Sequence, residues 1–146
     1  AVFECKPEID KGYLEYAGDK AASVRRLKRT SVPIPHAGGV YPAKPPGHII
    51  AGILTLGVSW KDGLGEHFDK NVKTLEDDNF LDCGFAAVGA CFDFYGDDGE
   101  LSVEEGDNAF AVFAFRLLQR LQAAATVPAV DWSAYAAQFK TPTPTK

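Results

Sequence analysis

An acidic segment between Asp93 and Glu105 is the part of this sequence whose residue types and spacing could do chemistry. It reads DFYGDDGELSVEE, and the carboxylates that a single turn could bring together are Asp93, Asp97, Asp98, Glu100 and Glu105. Carboxylate oxygens are the ligands that hard divalent cations such as Ca²⁺ take in proteins. The segment therefore predicts a weak calcium site, and no other cofactor is expected of the chain.

The same segment resembles an EF-hand calcium loop, with an aromatic-rich helix expected before it and a second helix expected to begin at Ser102. EF-hand loops have about twelve residues, with a glycine at the sixth position and oxygen ligands at fixed positions. Asp93 to Glu105 spans thirteen residues, so either register loses one ligand. Two interpretations stay open: a degenerate calcium loop, and an acidic turn between two helices that binds no ion.

Other catalytic patterns are missing from the sequence. The three histidines form no HxxxH or HExxH pair, and the three cysteines form no CxxC motif. No GxSxG nucleophile motif and no GxxxxGK phosphate loop is present. These absences predict that the protein is not an enzyme.

The charge and hydropathy of the chain limit its partners. The net charge is -5 at pH 7, and eleven acidic residues but no Lys or Arg lie between Thr74 and Phe115. Such a surface repels the phosphate backbone of nucleic acids. The longest apolar run, at 49–60, is shorter than the ~20 residues of a membrane-spanning helix. We expect no nucleic-acid partner and no membrane span, while contact with a membrane surface stays open.

Hydrophobic spacing indicates that helices position the acidic segment, and it predicts an all-α domain. Helices at about 78–95 and 102–124 would form its core, because their large apolar residues recur with a 3.6-residue period. Ser102 and Glu105 have the spacing of a capping box at the start of the second helix. The run at 48–60 fits a helix or a buried strand, and its lack of alternation favours the helix.

Composition divides the chain into an extended arm with short helices at 1–47, a helical core at 48–127, and a docking helix with an extended tail at 128–146. Five of the nine prolines lie between Pro33 and Pro46, which disfavours regular structure there. The last helix is too short to be stable alone, so it should dock on its own domain or on another subunit. The residues expected to bind a partner are Trp132, Tyr135, Phe139, Arg25, Arg26 and Arg29.

Methionine is absent from the sequence, so we expect Ala1 to be a processing site or a fragment boundary. Unpaired cysteines favour a reducing compartment. Together these features predict a non-catalytic accessory subunit of a larger multiprotein complex, imported into a mitochondrion or plastid and bound to other protein subunits. A secreted location is the alternative, and a calcium-binding module is the alternative function. An enzyme or ligand carrier with a concealed pocket is a third.

Overall fold

A computed structural model describes residues 1–29, 33–42 and 47–124 of the chain. It contains a five-stranded mixed sheet as well as helices, so the predicted all-α fold is wrong. The elements in chain order are β1 (Val2–Ile9), α1 (Lys11–Arg25), β2 (Ile34–His36), β3 (Gly39–Tyr41), β4 (Ala51–Val58), α2 (Glu66–Val72), a 3₁₀ turn (Asp77–Asn79), β5 (Cys83–Ala86), β6 (Ala90–Asp93), β7 (Ser102–Glu105) and α3 (Ala109–Ala124).

The main sheet has the strand order β1-β4-β5-β6-β7. Strands β1, β4 and β5 are parallel, and α1 and α2 lie in the connections between them. Strands β5, β6 and β7 are antiparallel and follow one another directly along the chain. Strands β2 and β3 form a separate two-stranded hairpin. The sheet is therefore parallel in the half that contains β1.

Helices cover the two faces of the sheet. On one face, α1 packs against a fully buried cluster that includes Ile53 of β4 and Phe92 of β6. On the other face, α3 packs against Cys91 through Ala109 and Val112. No helix in the described ranges is long and apolar enough to cross a membrane. Side chains on the sheet therefore belong either to the face that packs against α1 or to the face that packs against α3.

Strand β4 explains why the apolar run at 48–60 was interpreted wrongly as a helix. The strand has a neighbouring strand on each edge, and the consecutive residues Ala51, Gly52 and Ile53, which alternate between the two faces, are all buried. A strand covered on both faces has a nearly continuous apolar sequence and loses the alternation that identifies a half-buried strand. The missing alternation therefore indicated a central strand.

Helix α1 begins where the sequence supplies a cap. The Oδ1 atom of Asp10 accepts a hydrogen bond of 2.6 Å from the amide of Tyr13, which satisfies a free donor of the first turn. Leu14, Ala17 and Ala21 then recur at helical spacing and are buried. Because β1 and α1 are regular structure, the description of this region as an extended arm is wrong for residues 2–25.

The predicted core helix at 78–95 is wrong, because strands β5 and β6 lie in that segment. The helix predicted at 102–124 is wrong in its first part, where residues Ser102–Glu105 form β7, and helix α3 covers only Ala109–Ala124. Strands β5 and β6 form a hairpin whose turn uses Gly89 at a φ of 91°, a conformation that disfavours other residues. Gly106, at a φ of 111°, separates β7 from α3. The apparent capping box of Ser102 and Glu105 lies in β7, and the true helix begins at Ala109.

Candidate active site

A charged pair on β1 is the arrangement best suited to chemistry. Successive side chains of a strand point to opposite faces, so Glu4 and Lys6 share one face. That face is the one covered by α1. The Nζ atom of Lys6 lies 3.0 Å from Oε1 of Glu4, and the two side chains remain 19% and 27% exposed. The ammonium of Lys6 and the carboxylate of Glu4 therefore contact each other and remain partly accessible to solvent.

Aromatic rings of α1 hold the Lys6 ammonium. It lies 3.8 Å from the centroid of the Tyr16 ring and 5.6 Å from that of Tyr13. A cation over an aromatic face is attracted by the ring quadrupole. The hydrogen bond to Glu4 raises the pKa of Lys6 above its usual value, with burial opposing the shift. Lys6 is therefore protonated at neutral pH.

A small cavity opens beside Glu4. It has a volume of about 200 Å³ and lies between α1 and the first residues of β1 and β4, with Glu4, Lys20 and Ser23 among its lining residues. Another cavity, on the α3 side, is lined by Tyr95, Arg116 and other residues. The first cavity places a carboxylate and an additional lysine around one space.

The residue types at this cavity suit reactions of phosphate oxygens. A carboxylate can serve as one ligand of Mg²⁺, which usually binds one or two carboxylates, waters and substrate phosphates. An ammonium can donate hydrogen bonds to a phosphate and stabilise negative charge that develops during reaction. Across 1–29, 33–42 and 47–124, no three His, Cys, Asp or Glu side chains are grouped closely enough to bind a metal ion. Glu4 can therefore supply only part of a ligand set.

The acidic segment contains a buried ion pair. Asp93 ends β6, is 3% exposed, and its Oδ1 lies 2.8 Å from Nη2 of Arg116 in α3. The same oxygen accepts a hydrogen bond from the amide of Tyr95. Burial raises the pKa of Asp93, with the Tyr95 amide and the Arg116 charge opposing the shift. Asp93 therefore links the sheet to α3.

The other predicted calcium ligands lie apart from that pair. Asp97, Asp98 and Glu100 are exposed in the connection between β6 and β7. Glu105 accepts a hydrogen bond of 3.0 Å from the amide of Leu64, on a different connection. Strands, not helices, flank the acidic connection, so the helix–loop–helix setting of the resemblance is wrong. Calcium binding stays a prediction.

The predicted partner-binding arginines differ in exposure. The Arg25 side chain is 6% exposed and bonds within the chain, whereas Arg26 is exposed and pairs with Asp78 at 3.2 Å. Arg29 is exposed and donates to the carbonyl of Gly47. Trp132, Tyr135 and Phe139 lie outside the described residues. Binding of a partner by this set stays a prediction.

Sequence reasoning missed Glu4 and Lys6, although a signal for them exists. In VFECKPEI the residues Phe3, Cys5 and Ile9 alternate with Glu4, Lys6 and Glu8. Such alternation indicates a strand with one charged face. A carboxylate and a lysine two residues apart on that face are necessarily neighbours.

The fold is shared with solved structures. The cAAA-bound form of Escherichia coli MS115-1 NucC matches with a TM-score of 0.79 and 43% identity, covering 93% of this chain and 56% of that one. The cAAA-bound form of Pseudomonas aeruginosa ATCC27853 NucC matches with a TM-score of 0.79 and 40% identity, covering 95% and 58%. The chain therefore has the mixed α/β fold of these proteins.

The sequences of curated relatives agree with the structures. The chain is 45% identical over 135 residues to the endodeoxyribonuclease NucC of E. coli strain MS 115-1, and 43% identical over 135 residues to that of P. aeruginosa. Each alignment covers 92% of this chain but 56% of the relative, so the chain spans little more than half their length. No family model matches the chain.

These relatives overturn the functional predictions made from sequence. They are bacterial enzymes that act on DNA, so the accessory subunit, the absence of enzymatic activity and the organellar location are wrong. The exclusion of nucleic acid is also wrong, because two similar structures contain the cyclic oligonucleotide cAAA. Net charge failed as a guide because it averages over the whole chain.

Proposed function

We propose that this chain carries part of the active site of an endodeoxyribonuclease, and that Glu4 and Lys6 take part in hydrolysing DNA phosphodiester bonds. The observation that carries the proposal is the 3.0 Å contact between these side chains, together with the cavity that Glu4 lines. The fold that contains the pair is similar to that of proteins named endodeoxyribonucleases.

A divalent cation is the cofactor that fits this chemistry. The partly exposed carboxylate of Glu4 provides one hard oxygen ligand, which suits an Mg²⁺ ion that keeps several waters and substrate oxygens. When bound, such an ion polarises the phosphate and lowers the pKa of a coordinated water. Metal dependence is therefore part of the proposal.

The chain's own residues have separate tasks in this reaction. Glu4 orients one end of the Lys6 side chain by accepting its hydrogen bond. Lys6 keeps its proton and donates from Nζ to a phosphate oxygen, where it stabilises negative charge as the bond to phosphorus forms. The rings of Tyr13 and Tyr16 restrict the directions available to that ammonium.

Cleavage of supercoiled plasmid in the presence of Mg²⁺ tests the proposal. The variants Glu4→Gln and Lys6→Met should each lower the cleavage rate by about 100-fold or more, the usual effect of removing a group that stabilises charge in the transition state. Glu8→Gln is the matched control, because Glu8 lies on the same face of β1 and the substitution removes the same charge as Glu4→Gln. It should retain most of the activity.

Two outcomes would contradict the proposal. One is Glu4→Gln or Lys6→Met protein that cleaves as fast as the Glu8→Gln control. The other is wild-type protein that fails to cleave DNA with Mg²⁺ or Mn²⁺, with and without added cAAA. Circular dichroism of each variant separates a lost catalytic group from a lost fold.

Binding of cAAA is a second part of the proposal. Its support is that similar structures of two NucC proteins contain this cyclic oligonucleotide. Isothermal titration of the protein with cAAA should give a saturable heat, and the linear trinucleotide of the same bases is the control. Equal heats from both compounds would count against recognition of the cyclic form.

A further inference from the structure

Lys20 is the feature of the molecule that the proposed reaction leaves unexplained. It lies on α1 and lines the same cavity as Glu4. Its Nζ atom is 4.9 Å from the centroid of the Tyr16 ring, which also holds Lys6 at 3.8 Å. One aromatic ring thus contacts two ammonium groups next to the candidate active site.

The geometry points to Lys20 as a DNA-binding residue that contacts a backbone phosphate at this site, with Tyr16 as the residue that positions it. The inference rests on the proposed nuclease function and adds a contact to it. Its basis is that Lys20 and Glu4 line the same cavity, while the ring of Tyr16 contacts the ammonium of Lys20.

The ion pairs of the described lysines favour Lys20 for this contact. The charge of Lys6 is balanced by Glu4 at 3.0 Å. Among the described residues, no ion pair involves Lys20, and the pairs that other lysines make are those of Lys6, Lys11 and Lys73. Lys20 is therefore the source of net positive charge at the cavity. Lysine contacts to phosphates supply most of the sequence-independent affinity of DNA-binding proteins.

Helix geometry explains why Tyr16 can position the lysine. Tyr13, Tyr16 and Lys20 lie at i, i+3 and i+7 on α1, so they share one side of the helix. Tyr16 is 43% exposed, which places its ring at the mouth of the site rather than in the core. The ring therefore restricts a flexible lysine without contributing to the buried cluster.

Salt-dependent DNA binding tests the inference. Fluorescence anisotropy with a duplex in EDTA measures affinity without cleavage. Lys20→Gln should weaken binding and reduce the slope of log K against log salt by about 0.9, the value for one phosphate contact. Lys28→Gln is the matched control, since Lys28 is exposed beyond the end of α1 and the substitution removes the same charge as Lys20→Gln. It should leave the slope unchanged.

The Tyr16 variants test the positioning role. Tyr16→Phe keeps the ring and should retain wild-type binding, whereas Tyr16→Leu removes it and should reproduce the weaker binding of Lys20→Gln. In cleavage assays Lys20→Gln should raise KM with little change in kcat, because a phosphate contact made equally in the bound substrate and in the transition state contributes only to binding. If the Tyr16 variants weakened DNA binding through a general loss of structure, Tyr16→Phe would not retain wild-type binding.

Several results would overturn the inference. Equal slopes for Lys20→Gln and wild type would do so, as would an equal reduction in Lys28→Gln, which would assign the effect to overall charge. Loss of cAAA binding with DNA binding intact would assign the lysine to the cyclic oligonucleotide. Wild-type protein that neither binds nor cleaves DNA would remove the proposed nuclease function itself, and the inference with it.

Discussion

The substitution Arg25→Met removes the centre of a buried hydrogen-bond network. The Arg25 side chain is 6% exposed, and its Nη2 atom lies 2.7 Å from Oδ2 of Asp82. The guanidinium also donates to the carbonyls of Ile49, Asp78 and Phe80. Asp82 in turn accepts from the amide of Ala51 and contacts His48. The network joins the end of α1 to the segments that precede β4 and β5.

The expected cost of this substitution follows from burial. Removing one partner of a buried ion pair leaves the other charge uncompensated, which costs about 3–5 kcal/mol. The neighbouring Arg26→Met is the matched control, because Arg26 is 68% exposed and pairs with an exposed Asp78. An exposed pair contributes about 0–1 kcal/mol. For a chain of this size, each kcal/mol lowers Tm by roughly 2–4 °C.

Urea unfolding followed by circular dichroism measures both free energies of unfolding. Arg25→Met should lower the free energy of unfolding by about 3 kcal/mol more than Arg26→Met. Combining Arg25→Met with Asp82→Asn should cost less than the sum of the two single changes, because the second change removes the stranded charge. Equal costs for the two arginine variants, or strict additivity with Asp82→Asn, would refute the assignment of a buried ion pair.

Three further expectations concern the cysteines and glycines. At neutral pH a thiol reagent should modify Cys5, which is exposed, well before the buried Cys83 and Cys91, and Cys5→Ser should abolish the fast phase. Burial raises the pKa of both buried thiols to about 12 from 9.0, so they ionise first in the unfolded chain. The free energy of unfolding should then fall between pH 9 and pH 12, by up to about 1.4 kcal/mol per unit for each thiol, and a flat alkaline profile would contradict this. Gly84→Ala should destabilise the protein because its Cβ would collide with the Phe92 ring, whereas Gly12→Ala on α1 meets nothing closer than 3.6 Å and should not.

The sequence predicted local elements better than their arrangement. Phe68 and Val72 lie four residues apart, which is a helical spacing, and both are buried in the short helix α2. Leu81, Phe85 and Phe92 matched the same period by coincidence, since they lie in or before the two strands of a hairpin. Helix and strand periods cannot be separated over so few residues, and the turn at Gly89 was the informative signal.

The candidate site was hidden for a different reason. Its carboxylate, Glu4, and its ammonium, Lys6, lie two residues apart on β1, and Lys20, which lines the cavity beside Glu4, comes from the next helix. No catalytic motif of fixed spacing marks that combination. The acidic residues predicted to bind calcium are dispersed. Asp93 pairs with Arg116, and Glu105 accepts a hydrogen bond from the amide of Leu64. Contacts made through the fold, and not density along the chain, decided which charges lie together.

Strand β1 carries both the candidate site and a contact with the far side of the sheet. Phe3, beside Glu4 in sequence, points the other way and packs edge-on against Phe113 of α3 with a centroid distance of 6.1 Å. Its ring also crosses Gly52 of β4, where a Cβ atom would displace it. Adjacent residues of β1 thus contact opposite sides of the sheet. A substitution of Phe113 would therefore change the packing of the residue next to Glu4, at a site that the cavity beside Glu4 does not include.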